Sequence, residues 1–280
     1  MREILLLCLP LLPVALGLAG CRVVGTDHVR GPAIVAHRGA SSDAPENTLA
    51  AFKLGFDQGA DAIEGDFRMT LDGRIVAMHD RRLERTTGDP RTVDEVTLDE
   101  IRRLDAGSWG SWRESGFEGE PVPTLEEVLQ VVPDGKRILV EVKDTTRIVD
   151  ALVATLEGSG LRPDQATVIS FDAEVVEAFK RAAPAWTAFW LTSFEETEAG
   201  WRPTAADVVA TAIRIGADGV DVRAVPEVVD EGFARTIRAA GLELHVWTVN
   251  DLELARRMES VGVDSITTDR PVRIGEATSR

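Results

Sequence analysis

Three apolar, strand-like runs of this sequence each carry a closely spaced pair of residues that can do acid–base, metal or phosphate chemistry. Side chains two positions apart on a strand point to the same face, so a pair at that spacing is presented together. A histidine beside an arginine offers a proton carrier next to an anion-binding fork. The pairs are His37 with Arg38, Glu64 with Asp66, and Glu141 with Lys143.

Three of these residues are carboxylates from neighbouring runs, Glu64, Asp66 and Glu141. Three such groups at one edge repel one another unless a cation neutralises them, and ligands that are all oxygen favour Mg²⁺ or Ca²⁺. The alternative is purely structural: Asp66 pairs with Arg68 or Lys143, and Glu64 is solvated. The carboxylates alone do not decide between these two interpretations.

A second histidine, His79, ends the short apolar run of residues 75–78. A single histidine at such a place is more often a packing residue. Two histidines beside a carboxylate cluster favour catalysis, because imidazole titrates near neutral pH and a pair can serve as general acid and general base. Arg38 and Lys143 would then hold phosphate oxygens, the first through its planar fork and the second as a point charge.

The elements that must position these residues alternate between strand-like runs and amphipathic stretches of ten to fourteen residues. Eight such units in about 250 residues predict a (β/α)₈ TIM barrel, whose active sites lie at the carboxyl ends of the strands. A doubly wound open sheet is the rival fold, but no Gly-x-Gly-x-x-Gly follows the first run. The predicted strands are Ala33–Ala36, Ala62–Phe67, Arg137–Val142, Thr167–Ser170, Trp186–Leu191, Gly219–Val222, Glu243–Thr248 and Asp264–Thr267.

One interval breaks the alternation. From Met69 to about Val132 the chain has an Asp72-Gly73 turn followed by a stretch rich in Gly, Trp and Pro. That interval is too long for an ordinary connection between strand and helix. It predicts a small insertion after the second strand, over about residues 69–123, which covers the barrel mouth.

The first residues predict export. Residues 1–20 read as a signal peptide, with an apolar core too short and too interrupted by proline to span a membrane. The Leu18-Ala19-Gly20-Cys21 sequence resembles the lipobox of bacterial lipoproteins, so Cys21 would be lipidated and residues 21–31 would be a tether. The alternative is an ordinary signal with a chance cysteine. The prediction is an exported protein held on a bacterial membrane, periplasmic or at the cell surface.

The composition fits a folded catalytic domain over residues 32–280. Of the 280 residues, 44% are hydrophobic and 28% are charged, and the net charge is −16. Nucleic acid is not an expected partner, since the sequence has no basic stripe that could release counterions. A small phosphorylated substrate is compatible with the acidity if arginine, lysine or a metal supplies positive charge locally.

Several ordered blocks of the sequence resemble the motifs of one family. The blocks "AHRGASSDAPENTLAAF", "GADAIEGDFRMTLDGRIVAMHD", "ILVEVK", "VWTVND" and "SITTDRP" resemble those of glycerophosphodiester phosphodiesterases, from about Ala33 to Pro271. The resemblance implies a TIM barrel with an insertion after its second strand. It also implies hydrolysis of glycerophosphodiesters to glycerol 3-phosphate and an alcohol, with one divalent cation, Mg²⁺ or Ca²⁺. One departure is Gly65, where the family more often has a larger apolar residue.

The resemblance also implies a role for each site residue by its position in the motifs. The acid–base pair is His37 and His79, the metal ligands are Glu64, Asp66 and Glu141, the phosphate contacts are Arg38 and Lys143, and the glycerol end is lined by Trp247.

Two alternative functions stay open: a lysophospholipase D-type lipid phosphodiesterase on the same fold, and a non-catalytic surface-anchored binding protein.

Overall fold

The computed structural model describes residues 31–278 of the chain. The predicted signal peptide and the lipid attachment at Cys21 therefore lie outside the described residues. Within the described range, no helix combines the length and the apolar character needed to cross a membrane.

Eight parallel strands close into a barrel, which confirms the predicted fold. β1 pairs with β2 on one side and with β11 on the other, so the sheet has no free edge there and the doubly wound alternative is excluded. The order around the barrel is β1-β2-β4-β5-β6-β9-β10-β11. The strands are β1 (Ala33–Ala36), β2 (Ala62–Met69), β3 (Ile75–Ala77), β4 (Arg137–Val142), β5 (Ala166–Ser170), β6 (Thr187–Thr192), β7 (Glu195–Thr197), β8 (Gly200–Arg202), β9 (Gly219–Arg223), β10 (Glu243–Trp247) and β11 (Ser265–Thr268).

Helices surround the barrel, and several begin at side-chain caps that the sequence encodes. Thr48 accepts a hydrogen bond from the Ala51 amide at 3.1 Å and starts the first helix, and Thr124 and Asp251 cap later ones in the same way. The helices are α1 (Leu49–Asp57), α2 (Glu84–Thr87), α3 (Leu98–Ile101), α4 (Leu125–Gln130), α5 (Val149–Gly158), α6 (Ala173–Ala182), α7 (Ala205–Ile215), α8 (Glu231–Ala239), α9 (Leu252–Val261) and α10 (Pro271–Ala277).

Alternation along each barrel strand separates the core into two layers. Outward residues such as Ile63 and Val140 join the large cluster under the helices. Inward residues such as Leu139, Ile169 and Phe189 form a smaller cluster inside the barrel. Full burial of one such aliphatic side chain stabilises the fold by about 1.5–3 kcal/mol, so the pattern fixes which residues face the barrel axis.

The segment between β2 and α4 forms a small unit of its own. β3 pairs antiparallel with β2 after the Asp72-Gly73 turn, and α2 and α3 follow. A compact aliphatic cluster that includes Val76, Leu83 and Ile101 holds the unit together. This segment carries His79 to the carboxyl-terminal end of the barrel.

Candidate active site

A cavity of about 250 Å³ opens at the carboxyl ends of the barrel strands. Seven of the eight predicted site residues line it, and the eighth, Asp66, is fully buried directly behind, 3.1 Å from Nε of Arg38. The barrel therefore brings the whole predicted set to one place. The seven are His37, Arg38, Glu64, His79, Glu141, Lys143 and Trp247.

The three carboxylates form a buried cluster. Glu64 and Asp66 lie on β2, and Glu141 is the register partner of Asp66 on β4. One oxygen from each residue lies within 4.8 Å of the other two. Among the described residues, Oε1 of Glu64 receives no hydrogen bond, while Oδ1 of Asp66 and Oε1 of Glu141 face the Lys143 ammonium at 3.3 and 2.5 Å. Three buried oxygens converging in this way are a donor set that fits a hard divalent cation.

The electrostatics of this cluster point the same way. Burial raises the pKa of Glu64, with the Asp66 and Glu141 charges adding to the effect, and burial beside Asp66 raises the pKa of Glu141 to about 8. Burial also opposes ionisation of Asp66, but Arg38 and Lys143 outweigh it and lower its pKa to about 2. A cation bound here would let all three groups ionise, which the cluster alone does not favour.

The structural alternative holds only in part. Asp66 does pair with Lys143, yet its second ionic partner is Arg38 rather than Arg68. Arg68 instead donates to the main-chain carbonyls of His79 and Lys143. Glu64 is not solvated, since only 2% of it is exposed, and it accepts a hydrogen bond from the Arg38 amide. Ion pairing and a convergent carboxylate cluster therefore coexist.

His37 is oriented by a carboxylate that the sequence did not assign to it. Its Nδ1 lies 2.6 Å from Oδ1 of Asp269, just after β11, and Ser41 and Asn250 also donate to this carboxylate. Burial opposes the charge on Asp269, but the His37 and Asn250 contacts prevail and lower its pKa to about 2. An ionised carboxylate accepts from Nδ1–H, which leaves Nε2 of His37, 4.0 Å from Oε2 of Glu64, free for chemistry.

His79 has a matching arrangement. Its Nδ1 lies 2.7 Å from Oδ1 of Asp80, which is in turn paired with Arg85. Burial lowers the pKa of His79, although the Asp66 charge opposes the effect. Two histidines, each with a carboxylate on Nδ1, therefore line the same cavity from different segments of the chain.

The backbone around His37 is shaped by close packing. Gly39 has φ 79°, and a Cβ there would lie 2.3 Å from the Ala51 main chain in α1. Only glycine allows this approach, which lets the chain turn directly after His37 and Arg38. The turn also places Arg38 with φ 54°, beside Glu46 and Asp66.

Asn47 lies directly before α1 but does not cap it. Thr48 is the cap, and Asn47 has φ 59° and contacts Asp66. Its Nδ2 donates to Oδ2 of Asp66 at 2.9 Å, and its Oδ1 accepts from the Asp66 amide at 3.1 Å. Asn47 therefore fixes the orientation of a candidate metal ligand.

Comparison with known proteins decides the family. Residues 37–273 match the model of the glycerophosphoryl diester phosphodiesterase family. The chain belongs to this family. It is 34% identical over 248 residues to the glycerophosphodiester phosphodiesterase of Caldanaerobacter subterraneus subsp. tengcongensis, covering 85% of this chain and 94% of that protein.

Two solved structures of similar proteins agree. One is a phosphodiesterase from Oleispira antarctica in complex with the product sn-glycerol-3-phosphate, with a TM-score of 0.76 and 27% identity, covering 88% of this chain and 96% of that one. The other is a glycerophosphodiester phosphodiesterase from Agrobacterium tumefaciens, with a TM-score of 0.73 and 29% identity, covering 88% and 99%. The family resemblance of the sequence is therefore confirmed.

The departure from the glycerophosphoryl diester phosphodiesterase pattern at Gly65 has a packing explanation. A Cβ at this position would lie 2.8 Å from Cζ of Phe52 and 3.1 Å from the ring of Phe67. Both aromatic side chains are fully buried. The Phe52 ring thus fills the space of a larger residue, and β2 runs unbroken from Ala62 to Met69.

In this member of the family the cavity wall has two chemically different halves. Adjacent strands β1, β2 and β4, with the insertion, supply the charged half. Strands β5, β6 and β9 to β11 supply the opposite half, which is mostly apolar. Asp221 belongs to this second half. The opposite half consists of Ile169, Phe171, Leu191, Asp221, Trp247, Thr248 and Thr267.

Proposed function

We propose that this protein is a metal-dependent phosphodiesterase that hydrolyses glycerophosphodiesters to glycerol 3-phosphate and an alcohol. The observation that carries the proposal is the pairing of two carboxylate-oriented histidines, His37 and His79, with a buried carboxylate cluster in one cavity. Relatives named as glycerophosphodiester phosphodiesterases, and the product bound to the Oleispira antarctica enzyme, support the substrate class.

The carboxylates Glu64, Asp66 and Glu141 would hold one divalent cation, Mg²⁺ or Ca²⁺, and Asn47 would keep Asp66 in place. When bound, such a cation neutralises negative charge that develops on the phosphoryl oxygens. Arg38 lies at the rim of the same cluster and would add a fixed positive charge on the phosphate.

The histidines carry the proton transfers. With Nδ1 of each held by Asp269 or Asp80, Nε2 of each is the atom that exchanges a proton. One imidazole accepts the proton of the attacking hydroxyl, and the other donates a proton to the leaving alkoxide. The Lys143 ammonium, held by Glu141, would contact the phosphate from the side of β4.

A small deacylated substrate fits this cavity better than a lysophospholipid. The half-buried aromatic residues of the insertion pack on themselves, with Trp112 edge-on to Phe117 at 5.8 Å and Arg85 over Trp109 at 5.2 Å. None of them lines the cavity. The apolar surface that a fatty acyl chain needs is limited, at the described mouth, to the side of Phe171 and Trp247.

The test uses purified residues 22–280 with glycerophosphocholine, and follows glycerol 3-phosphate with a coupled dehydrogenase. We expect product that disappears with EDTA and returns with Mg²⁺ or Ca²⁺. Lysophosphatidylcholine is assayed in parallel for choline release. Turnover of the lysolipid alone would favour the lipid phosphodiesterase, and no turnover of either would favour a binding protein.

Single variants test the acid–base pair. His37→Ala and His79→Ala should each abolish turnover while leaving the thermal unfolding of the protein intact. Each change removes a proton carrier worth roughly 10²–10⁴ in rate. Substantial activity in either variant would contradict the assignment.

We also propose that the chain is exported and anchored to a bacterial membrane through a lipidated Cys21. The lipobox-like sequence before Cys21 supports this. Labelling of growing cells with a radioactive fatty acid should mark the wild-type protein but not Cys21→Ala. Equal labelling of both proteins would contradict the anchor.

A further inference from the structure

Two buried polar atoms in the apolar half of the cavity have no partner in the protein. Asp221 is 1% exposed and Thr267 is 2% exposed, and both line the cavity. Within residues 31–278, neither Oδ1 of Asp221 nor Oγ1 of Thr267 makes a hydrogen bond. A buried polar group without a hydrogen bond destabilises a fold, so two of them at one place call for an explanation.

Strand register explains how both side chains reach the cavity. Asp221 on β9 pairs in register with Leu191 on β6 and with His245 on β10, and its neighbours Val220 and Val222 face the outer core. Thr267 on β11 is the partner of the inward-facing Val35. The alternation of a barrel strand thus commits both polar side chains to the interior.

The surroundings of Asp221 do not provide it with a structural partner. Among the described residues it forms no ion pair, and burial raises its pKa to about 7 even though His245 opposes the effect. His245 itself hydrogen-bonds Ser265 and Glu243. Burying a carboxyl group without a partner in an apolar wall destabilises the fold, so its presence is better explained by contact with a ligand.

We propose that Asp221 and Thr267 bind the terminal hydroxyl group of the glycerol moiety, an inference that rests on the proposed function. The Asp221 carboxylate accepts from a hydroxyl, and the Thr267 hydroxyl can accept or donate. The Trp247 ring offers an apolar face to the carbon side of a polyol, and its Nε1 donates to the Asp221 carbonyl oxygen at 3.2 Å. The aromatic wall and the carboxyl group are therefore held in one arrangement.

The distribution of charge indicates that the glycerol end of the substrate, rather than the phosphate, lies beside Asp221 and Thr267. Asp221 and Thr267 offer no positive charge to a phosphate group, whereas Arg38 and Lys143 in the charged half of the wall attract it. A substrate that spans the cavity would therefore leave its phosphorus near the histidines and direct its terminal hydroxyl towards Asp221 and Thr267.

The test compares glycerophosphocholine with 2-hydroxypropyl phosphocholine, which lacks only the terminal hydroxyl, and measures choline release from both. We expect wild-type kcat/KM to be at least about tenfold higher for glycerophosphocholine, because a hydrogen bond to a charged group is lost with the analogue. Asp221→Asn and Thr267→Val should reduce this preference, by lowering kcat/KM for glycerophosphocholine and leaving the analogue within about twofold of wild type.

Thr187→Val is the matched control. Thr187 also faces the barrel interior, but it lines a separate cavity of about 130 Å³ at the opposite end. It should leave the substrate preference unchanged. Equal losses on both substrates in the Asp221 and Thr267 variants, or no loss on either, would overturn the inference. Failure of the wild-type protein to hydrolyse glycerophosphocholine would instead overturn the proposed function.

Discussion

Replacing Asp269 by asparagine should disable His37 without changing the fold. Both oxygens of Asp269 act as acceptors, Oδ1 for His37 and Ser41, and Oδ2 for Asn250. An amide has only one oxygen. In one orientation its NH₂ faces Asn250, and in the other it faces Nδ1 of His37 and forces the proton onto Nε2, the atom needed for chemistry.

The expected loss follows from these contacts. A hydrogen bond to a charged group contributes about 1.5–3 kcal/mol, and each 1.4 kcal/mol is a factor of ten, so kcat should fall about 10- to 100-fold. KM should change little, because Asp269 does not line the cavity. Choline release from glycerophosphocholine, measured over a series of substrate concentrations, gives both constants.

Asp164→Asn is the control for this prediction. Asp164 pairs with Arg162 on the surface, away from the site, so its replacement should leave kcat unchanged. If folded Asp269→Asn keeps more than about half of the wild-type kcat, His37 does not depend on this carboxylate for its orientation.

Three further outcomes are expected. Asn47→Ala should weaken binding of Mg²⁺ or Ca²⁺ by about 10- to 100-fold in isothermal titration calorimetry, since it frees Asp66; unchanged affinity would contradict this. Gly65→Ala should lower the free energy of unfolding, measured in urea, by about 1–3 kcal/mol, because its methyl group contacts the Phe52 ring. Adding Phe52→Leu to this variant should restore part of that free energy. If the losses of the two single variants simply add in the double variant, the packing argument is wrong. In EDTA the melting temperature should fall from pH 5 to pH 8, because the pKa of Glu141 rises from 4.5 to about 8 on folding and the folded state then binds the proton more tightly. Addition of Mg²⁺ or Ca²⁺ should reverse the fall. A melting temperature that rises with pH would contradict this.

The sequence predicted the barrel because the period of its apolar runs matches eight strand–helix units. The site residues came with the barrel, since parallel strands end at the same face. Strand ends were accurate to within two residues: the second predicted strand stopped at Phe67, and β2 ends at Met69. The exposed hairpin of β7 and β8 was not predicted, because Glu195–Thr197 and Gly200–Arg202 carry no buried alternation.

What the sequence missed depends on contacts between distant segments. Asp269 lies 232 positions from His37, and only the closure of β11 onto β1 brings them together. Its place directly after the last strand was the available signal. Asn and Thr both favour helix caps, so the sequence does not separate Asn47 from Thr48; in the structure Thr48 caps α1 and Asn47 contacts Asp66. Aliphatic residues such as Leu83, rather than the tryptophans, form the core of the insertion. The local sequence does not show which of these two groups is buried there.

The two halves of the cavity wall are also separate along the chain. The charged half ends at Lys143, and the opposite half begins at Ile169, while Asp269 orients His37 from the carboxyl-terminal end of the chain. Substitutions in one segment of the chain can therefore change one half of the wall and leave the residues of the other half unchanged. As the family diverges, substitutions in the later segment can change which alcohol or polyol is bound, while the earlier segment keeps the residues of the reaction. A chimera of two relatives joined between β4 and β5 would therefore exchange their substrate preference as a single block.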